Sequence, residues 1–278
     1  MSLKLMYITN VPEVALIAEK NGVERIMVDL ETLGKEERQK NMNTVKSHHT
    51  VEDVRSVSCV LTSSEMLVRI NPWNETSVAE VEEVISAGAK RIMLPMWKTS
   101  EEVNSFLKTV NRRVHTTLLL ETKEAAEIID EILKNPLLDE IHIGLNDLHL
   151  SYGLTFMFEL LSNGVVESLC QKIKAKGIPY GFGGIARIGE GTLPAENIVT
   201  EHYRLGSSRV ILSRSFCNTD EITDLASIDT IFSENVALLR EYEKTLVNKS
   251  DFEYSENAKA VKLGVDMIVS KIKEKRAQ

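Results

Sequence analysis

Glu121 and Asp147 are the two residues of this sequence best placed to do chemistry together. Glu121 follows directly on the apolar run Leu118, Leu119, Leu120, and Asp147 lies just beyond Ile141, His142, Ile143 and Gly144. Each acid therefore closes a short strand. The 123–133 segment between them carries apolar residues at helical spacing, with Asn135 and Pro136 ending it. A strand–helix–strand unit of this length is a parallel crossover, and in parallel α/β folds the chemistry gathers at the carboxyl ends of the strands. Two carboxylates meeting on that rim are hard oxygen ligands suited to Mg²⁺ or Mn²⁺.

Other strand ends supply further groups. Asp29 and Glu31 follow the apolar segment 25–28, and Arg69 lies at the end of 65–70. The guanidinium is a planar fork that fits a carboxylate with two hydrogen bonds, so Arg69 reads as a recognition group for a small anion. Its alternative is an ion pair with Glu31 or Glu121. Pro95 and Met96 follow 91–94, and Ser213 and Arg214 follow 209–212. Gly183 and Gly184 would let backbone N–H groups approach a ligand, although Gly-Gly is also ordinary turn chemistry.

The elements that must carry these groups alternate along the chain. Short apolar strands are expected at 5–9, 25–28, 65–70, 91–94, 118–120, 141–143, 180–182 and 209–212. Helical patterns fall at 12–21, 51–61, 77–87, 123–133, 164–176 and 194–205, with Ser100 expected to cap a further helix and Glu101 and Glu102 in its first turn. The polar run 34–44 reads as a solvated loop or short helix. Eight strands alternating with helices predict an α/β fold, a single (β/α)₈ TIM barrel, over residues 1–216. Residues 217–278 form a C-terminal helical extension with amphipathic stretches at 228–247 and 258–275. That extension either packs on its own barrel or exchanges between subunits.

The chain has 278 residues, 43% hydrophobic and 27% charged, enough to bury a large core. A net charge of −8 and a pI of 5.4 argue against nucleic acid or an anionic membrane as partner. Cys59, Cys170 and Cys217 are too scattered for a disulfide framework or a thiolate metal site and read as thiols of a reducing compartment. The first ten residues lack a signal-peptide apolar run and no stretch approaches a membrane span, so a cytoplasmic protein is expected. His48 and His49 are read as polar-loop residues, His142 as facing either the barrel or the helix layer, and His149 as a partner of Asp147. His115 and His202 belong to no constellation. The sequence contains no HExxH, Gly-x-Ser-x-Gly, P-loop or strand-linked GxGxxG motif.

On the segments MVDLET (27–32), LVRINPWNE (67–75), RIMLPM (91–96), LLLETKEA (118–125), IHIGLNDLHLSYG (141–153) and 203–214, the sequence resembles the HpcH/HpaI aldolase/citrate lyase family. These segments fall in order over most of the chain. The resemblance implies a (β/α)₈ barrel in which Glu121 and Asp147 hold a divalent metal. It implies Arg69 on the carboxylate or keto oxygen of a pyruvate-type 2-keto acid, carbon–carbon cleavage through a metal-stabilised enolate, and homo-oligomers from dimer to hexamer. One position departs from the aldolase branch, which has a histidine where this chain has Thr32, and a threonine hydroxyl is no general base at neutral pH. Proton transfer is therefore expected from Glu31, Asp29 or a metal-bound water. The DLE run at 29–31 looks more like the citrate lyase branch, so an acyl-CoA thioester lyase is the alternative. A non-catalytic keto-acid-binding barrel is a third reading.

Overall fold

A computed structural model describes residues 2–34 and 49–277. Among these, eight parallel strands close into a barrel in sequence order: β1 (Lys4–Ile8), β2 (Arg25–Asp29), β3 (Glu65–Arg69), β4 (Arg91–Leu94), β5 (His115–Leu120), β6 (Glu140–Ile143), β7 (Tyr180–Ile185) and β8 (Arg209–Leu212). Pairing of β1 with β8 completes the ring, as a (β/α)₈ TIM barrel requires. The helices are α1 (Pro12–Lys20), α2 (Val51–Val60), α3 (Ser77–Ser86), α4 (Ser100–Val110), α5 (Lys123–Glu127), α6 (Ile129–Ile132), α7 (Leu145–Ser151), α8 (Glu159–Ser162), α9 (Val165–Lys174), α10 (Ala195–Leu205), α11 (Leu225–Leu246) and α12 (Asp251–Ala277).

Local chemistry explains most helix boundaries. Pro12 occupies the first turn of α1, where its missing N–H costs no hydrogen bond. Thr50 with Asp53, and Thr99 with Glu102, form reciprocal capping boxes at α2 and α4. The cap of α4 is thus Thr99 and not Ser100, because Thr99 has the extended backbone that lets its hydroxyl reach back to the helix. The segment 123–133 is two short helices meeting at Ile128. The polar run expected at 34–44 lies, from residue 35 onward, outside the described residues.

Alternation along each strand sorts the interior of the barrel into layers. Met6, Met27, Leu67, Met93 and Leu119 form an apolar plug inside the ring, joined by Ile8 and Ile211. Two residues earlier on their strands, Arg25, Glu65, Arg91 and Arg209 meet Glu140 at the amino-terminal mouth. Arg25 donates to Glu65 at 2.8 Å and to Glu140 at 2.7 Å, Arg91 donates to Glu65 at 3.0 Å, and Arg209 donates to Glu140 at 2.6 Å. Two residues later than the plug, the inward positions are Asp29, Arg69, Glu121, Gly144 and Ser213, at the carboxyl rim. The larger apolar core lies outside the sheet, between strands and helices.

The carboxyl-terminal pair packs on the barrel of its own chain, α11 against α1 and α10, and α12 against α10 and α8. No helix among the described residues is long and apolar enough to cross a membrane.

Candidate active site

The β2 and β3 ends lie in register, Asp29 opposite Arg69. Arg69 Nε and Nη2 each donate to an Asp29 carboxylate oxygen at 2.8 Å, a bidentate pair, and Nη1 is 3.4 Å from Glu31. The ion pair expected with Glu31 is thus present at 3.4 Å, and the closer partner is Asp29, set opposite Arg69 by the register of neighbouring strands. Burial works against the guanidinium charge, but Asp29, and beyond it Glu31 and Glu121, raise its pKa well above the ordinary value.

The acids at the ends of β5 and β6 converge. Leu120 is in register with Ile143, which sets Glu121 beside Gly144. A Cβ on Gly144 would lie 2.8 Å from Glu121 Oε2 and 3.0 Å from its Cβ, so the glycine makes room for the carboxylate. Glu121 Oε1 accepts the Met96 N–H at 3.0 Å. Met96 holds a left-handed φ of 53°, an uncommon conformation for a side-chain-bearing residue, which aims that N–H at the acid. Asp147, just beyond Gly144, sits in the first turn of α7, because the chain resumes helix at Leu145. Burial first, and then the like charge of Asp147, push the Glu121 carboxyl well above its usual range, with Arg69 opposing.

These groups line a cavity of about 440 Å³ at the carboxyl rim. Asp29, Arg69, Glu121, Asp147, Gly183 and Gly184 all line it. Glu31 and Pro95 do not: both are buried, and Glu31 donates its backbone N–H to Asp29. Gly183 and Gly184 fall within β7 and not after it. A bulge displaces the β7–β8 register between Gly181 and Gly184, and Gly183 takes φ 52°. Thr32 is exposed and turned away, its N–H donating to Asn71 Oδ1 at 2.9 Å.

Two histidines line the cavity, His49, read from the sequence as a polar-loop residue, and His142, whose face the sequence left open. His49 Nδ1 accepts the backbone N–H of Asp29 at 3.0 Å and its ring lines the cavity. His48 lies outside the described residues. His142 faces the interior from β6, and its Nε2 lies 3.1 Å from the Gly183 carbonyl, so that nitrogen carries the proton. Burial pushes the His142 pKa down to about 4, leaving a neutral ring. His149 instead turns to the Leu145 carbonyl at 3.2 Å, His202 stacks on Phe182 in the helix layer, and His115 is exposed. The only sequence signal for His142 was alternation with two isoleucines, which leaves its face open. For His49 there was none.

Two hard carboxylates with little water around them, one raised in pKa by the other, are a donor set that a divalent cation would neutralise. Among the described residues no cluster of three or more His, Cys, Asp or Glu side chains could hold a metal ion. Two protein ligands suit Mg²⁺, which commonly keeps waters or substrate oxygens for the rest of its shell.

A parallel barrel with an acid pair and an arginine converging at the carboxyl rim defines a TIM-barrel enzyme site. A sequence model described as HpcH/HpaI aldolase/citrate lyase matches residues 5–178. The chain belongs to this family, which is of a general carbon–carbon lyase kind. A comparison with curated proteins found no match. Solved structures of similar fold include an HpcH/HpaI aldolase from Desulfitobacterium hafniense, with TM-score 0.60 and 16% identity, covering 86% of this chain and 93% of that one. A citrate lyase from Burkholderia xenovorans gives TM-score 0.59 and 12% identity, covering 96% of this chain and 93% of the other. Protein CitE from Mycobacterium tuberculosis, solved in complex with magnesium and acetate, gives TM-score 0.58 and 12% identity, over 92% and 96% of the two chains. At these identities the likeness is one of fold.

Proposed function

We propose that this protein is a divalent-cation-dependent carbon–carbon lyase that releases or adds pyruvate or a related 2-keto acid. The observation that carries the reading is the convergence of Glu121 and Asp147 within the field of one oriented guanidinium. Glu121 and Asp147 would hold Mg²⁺ or Mn²⁺, which when bound supplies Lewis-acid stabilisation of the negative charge developing on the keto oxygen. Arg69, fixed by Asp29, presents its remaining edge to the substrate's carboxylate or keto oxygen and stabilises the same charge.

Proton transfer is assigned to a water of the cavity oriented by His49, in place of the residue at position 32. His49 Nδ1 accepts the Asp29 amide N–H, so the neutral ring carries its proton on Nε2 and can donate a hydrogen bond but not the proton itself. Asp29 is occupied by Arg69, and Glu31 is outside the cavity lining, so neither is assigned as the base. The chain divides into a barrel, 1–216, and an extension, 217–278, and a homo-oligomer built through the helices of that extension is proposed from the resemblance and from their surplus over what the barrel needs.

The test is exchange of pyruvate methyl protons with deuterated water, which needs no knowledge of the second substrate. Exchange should require added Mg²⁺ or Mn²⁺ and vanish in Glu121→Ala and Asp147→Ala. Cation-independent exchange, or exchange retained with either acid removed, overturns the assignment. Protection by malyl- or citryl-type thioesters but not by pyruvate would favour the acyl-thioester reading instead.

A further inference from the structure

β7 reads Tyr-Gly-Phe-Gly-Gly-Ile, so three of its six positions bring no side chain. On β6 the inward residue above His142 is Gly144. The imidazole of His142 lines the cavity while only 1% exposed.

The direction of its hydrogen bonds is settled by chemistry. A carbonyl oxygen only accepts, so Nε2 donates to Gly183 and the lone pair of the neutral ring is on Nδ1. Nδ1 is buried, and no group among the described residues lies within hydrogen-bonding distance of it. A buried acceptor left unpaired is costly, and such atoms in native proteins are met by water or ligand. A carboxylate or keto oxygen facing this lone pair would be repelled.

We propose that His142 is a specificity-determining residue whose Nδ1 accepts a hydrogen bond from a proton-bearing oxygen brought by the occupant of the cavity. That oxygen is a hydroxyl of the ligand or a water held with it. The proposal deepens the lyase reading and rests on it for the class of ligand. A hydroxylated 2-keto acid meets the requirement directly, and a plain one meets it only with water interposed.

The pair of probes is 3-hydroxypyruvate and 2-oxobutanoate, nearly isosteric acids that differ in one hydroxyl. Their binding is measured with Mg²⁺ on wild-type protein, His142→Phe and His142→Gln, together with the imidazole ¹⁵N resonances of wild-type protein labelled at histidine. If the ligand supplies the donor, 3-hydroxypyruvate binds about tenfold more tightly. The Phe variant then loses the preference, the Gln variant keeps part of it, and the Nδ1 resonance shifts only with the hydroxylated acid. If a water held with the ligand supplies it, the two acids bind alike and the Nδ1 resonance shifts with both; an Nδ1 already hydrogen-bonded in free protein and moved by neither acid overturns the proposal. An Nδ1 resonance of an unbonded lone pair in the free protein and in both complexes overturns the proposal, as does an Nδ1 that carries the proton. Should neither acid bind wild-type protein, the lyase reading fails by itself, while the free-protein spectrum still decides the role of His142.

Discussion

Arg69 and Asp29 are locked together by two parallel 2.8 Å hydrogen bonds between adjacent strand ends, so the direction of the cation is set before any ligand arrives. Preorganisation of this kind is what lets a charge act on a developing enolate without reorganising during the reaction. Asp29 is only 2% exposed, which keeps the pair from exchanging its partners for water.

Asp29→Asn should therefore weaken pyruvate binding in the presence of Mg²⁺ by about ten- to a hundredfold, since one charge-assisted bond is lost and the fork can rotate. Isothermal titration measures this, and Mg²⁺ affinity measured alone should stay within about threefold because Asp29 is not an assigned ligand.

Gly144→Ala places a methyl 2.8 Å from Glu121 Oε2, 3.0 Å from its Cβ and 3.2 Å from Leu119 Cδ1. The carboxylate must swing away, and Mg²⁺ affinity should fall by about tenfold or more, since a site loose by an ångström loses its geometry. A variant that folds normally and binds Mg²⁺ as tightly as wild type would remove Glu121 from the site.

His49→Gln should slow pyruvate methyl exchange by about tenfold while leaving the pyruvate dissociation constant nearly unchanged, because a group that orients the proton-carrying water contributes to the step and little to binding. A loss confined to binding would take His49 out of that step.

At the opposite mouth, Glu140 faces Arg25, Arg91 and Arg209. Burial works to raise its pKa, but those cations, Arg25 foremost, outweigh it and bring the carboxyl from 4.5 down to about 2. A depressed acid contributes stability that is full above its unfolded pKa and is lost as pH falls through the folded one. The window is thus from about pH 4.5 to about pH 2, with on the order of 3 kcal/mol at stake. Glu140→Gln leaves Arg25 and Arg91 with Glu65 alone, takes the carboxylate from Arg209, and should cost about 3–5 kcal/mol at neutral pH. Urea midpoints across pH test this, and the variant should lack the acid-side slope that wild type shows.

Much of the barrel was legible because strands of a parallel sheet are covered on both faces and so appear as short continuous apolar runs between helical patterns. Strands 91–94 and 209–212 were readable to the residue. β7 was cut short at 182 because the glycines that bulge it look like a turn. Asp147 was placed correctly past β6, yet the helix that carries it was missed, since Gly144 reads as a stop when it is in fact the cap of α7.

The sequence by itself determined the order of elements and the acids and arginine at their carboxyl ends, because spacing and apolar periodicity are local properties. Only the tertiary structure decided which of those groups touch. Closing the ring paired Asp29 with Arg69, brought His49 back to β2 from the far side of residues 35–48, and turned His142 inward against a bulged glycine strand. Those contacts join residues up to 41 positions apart, and they depend on strand register, which is fixed only when the barrel closes.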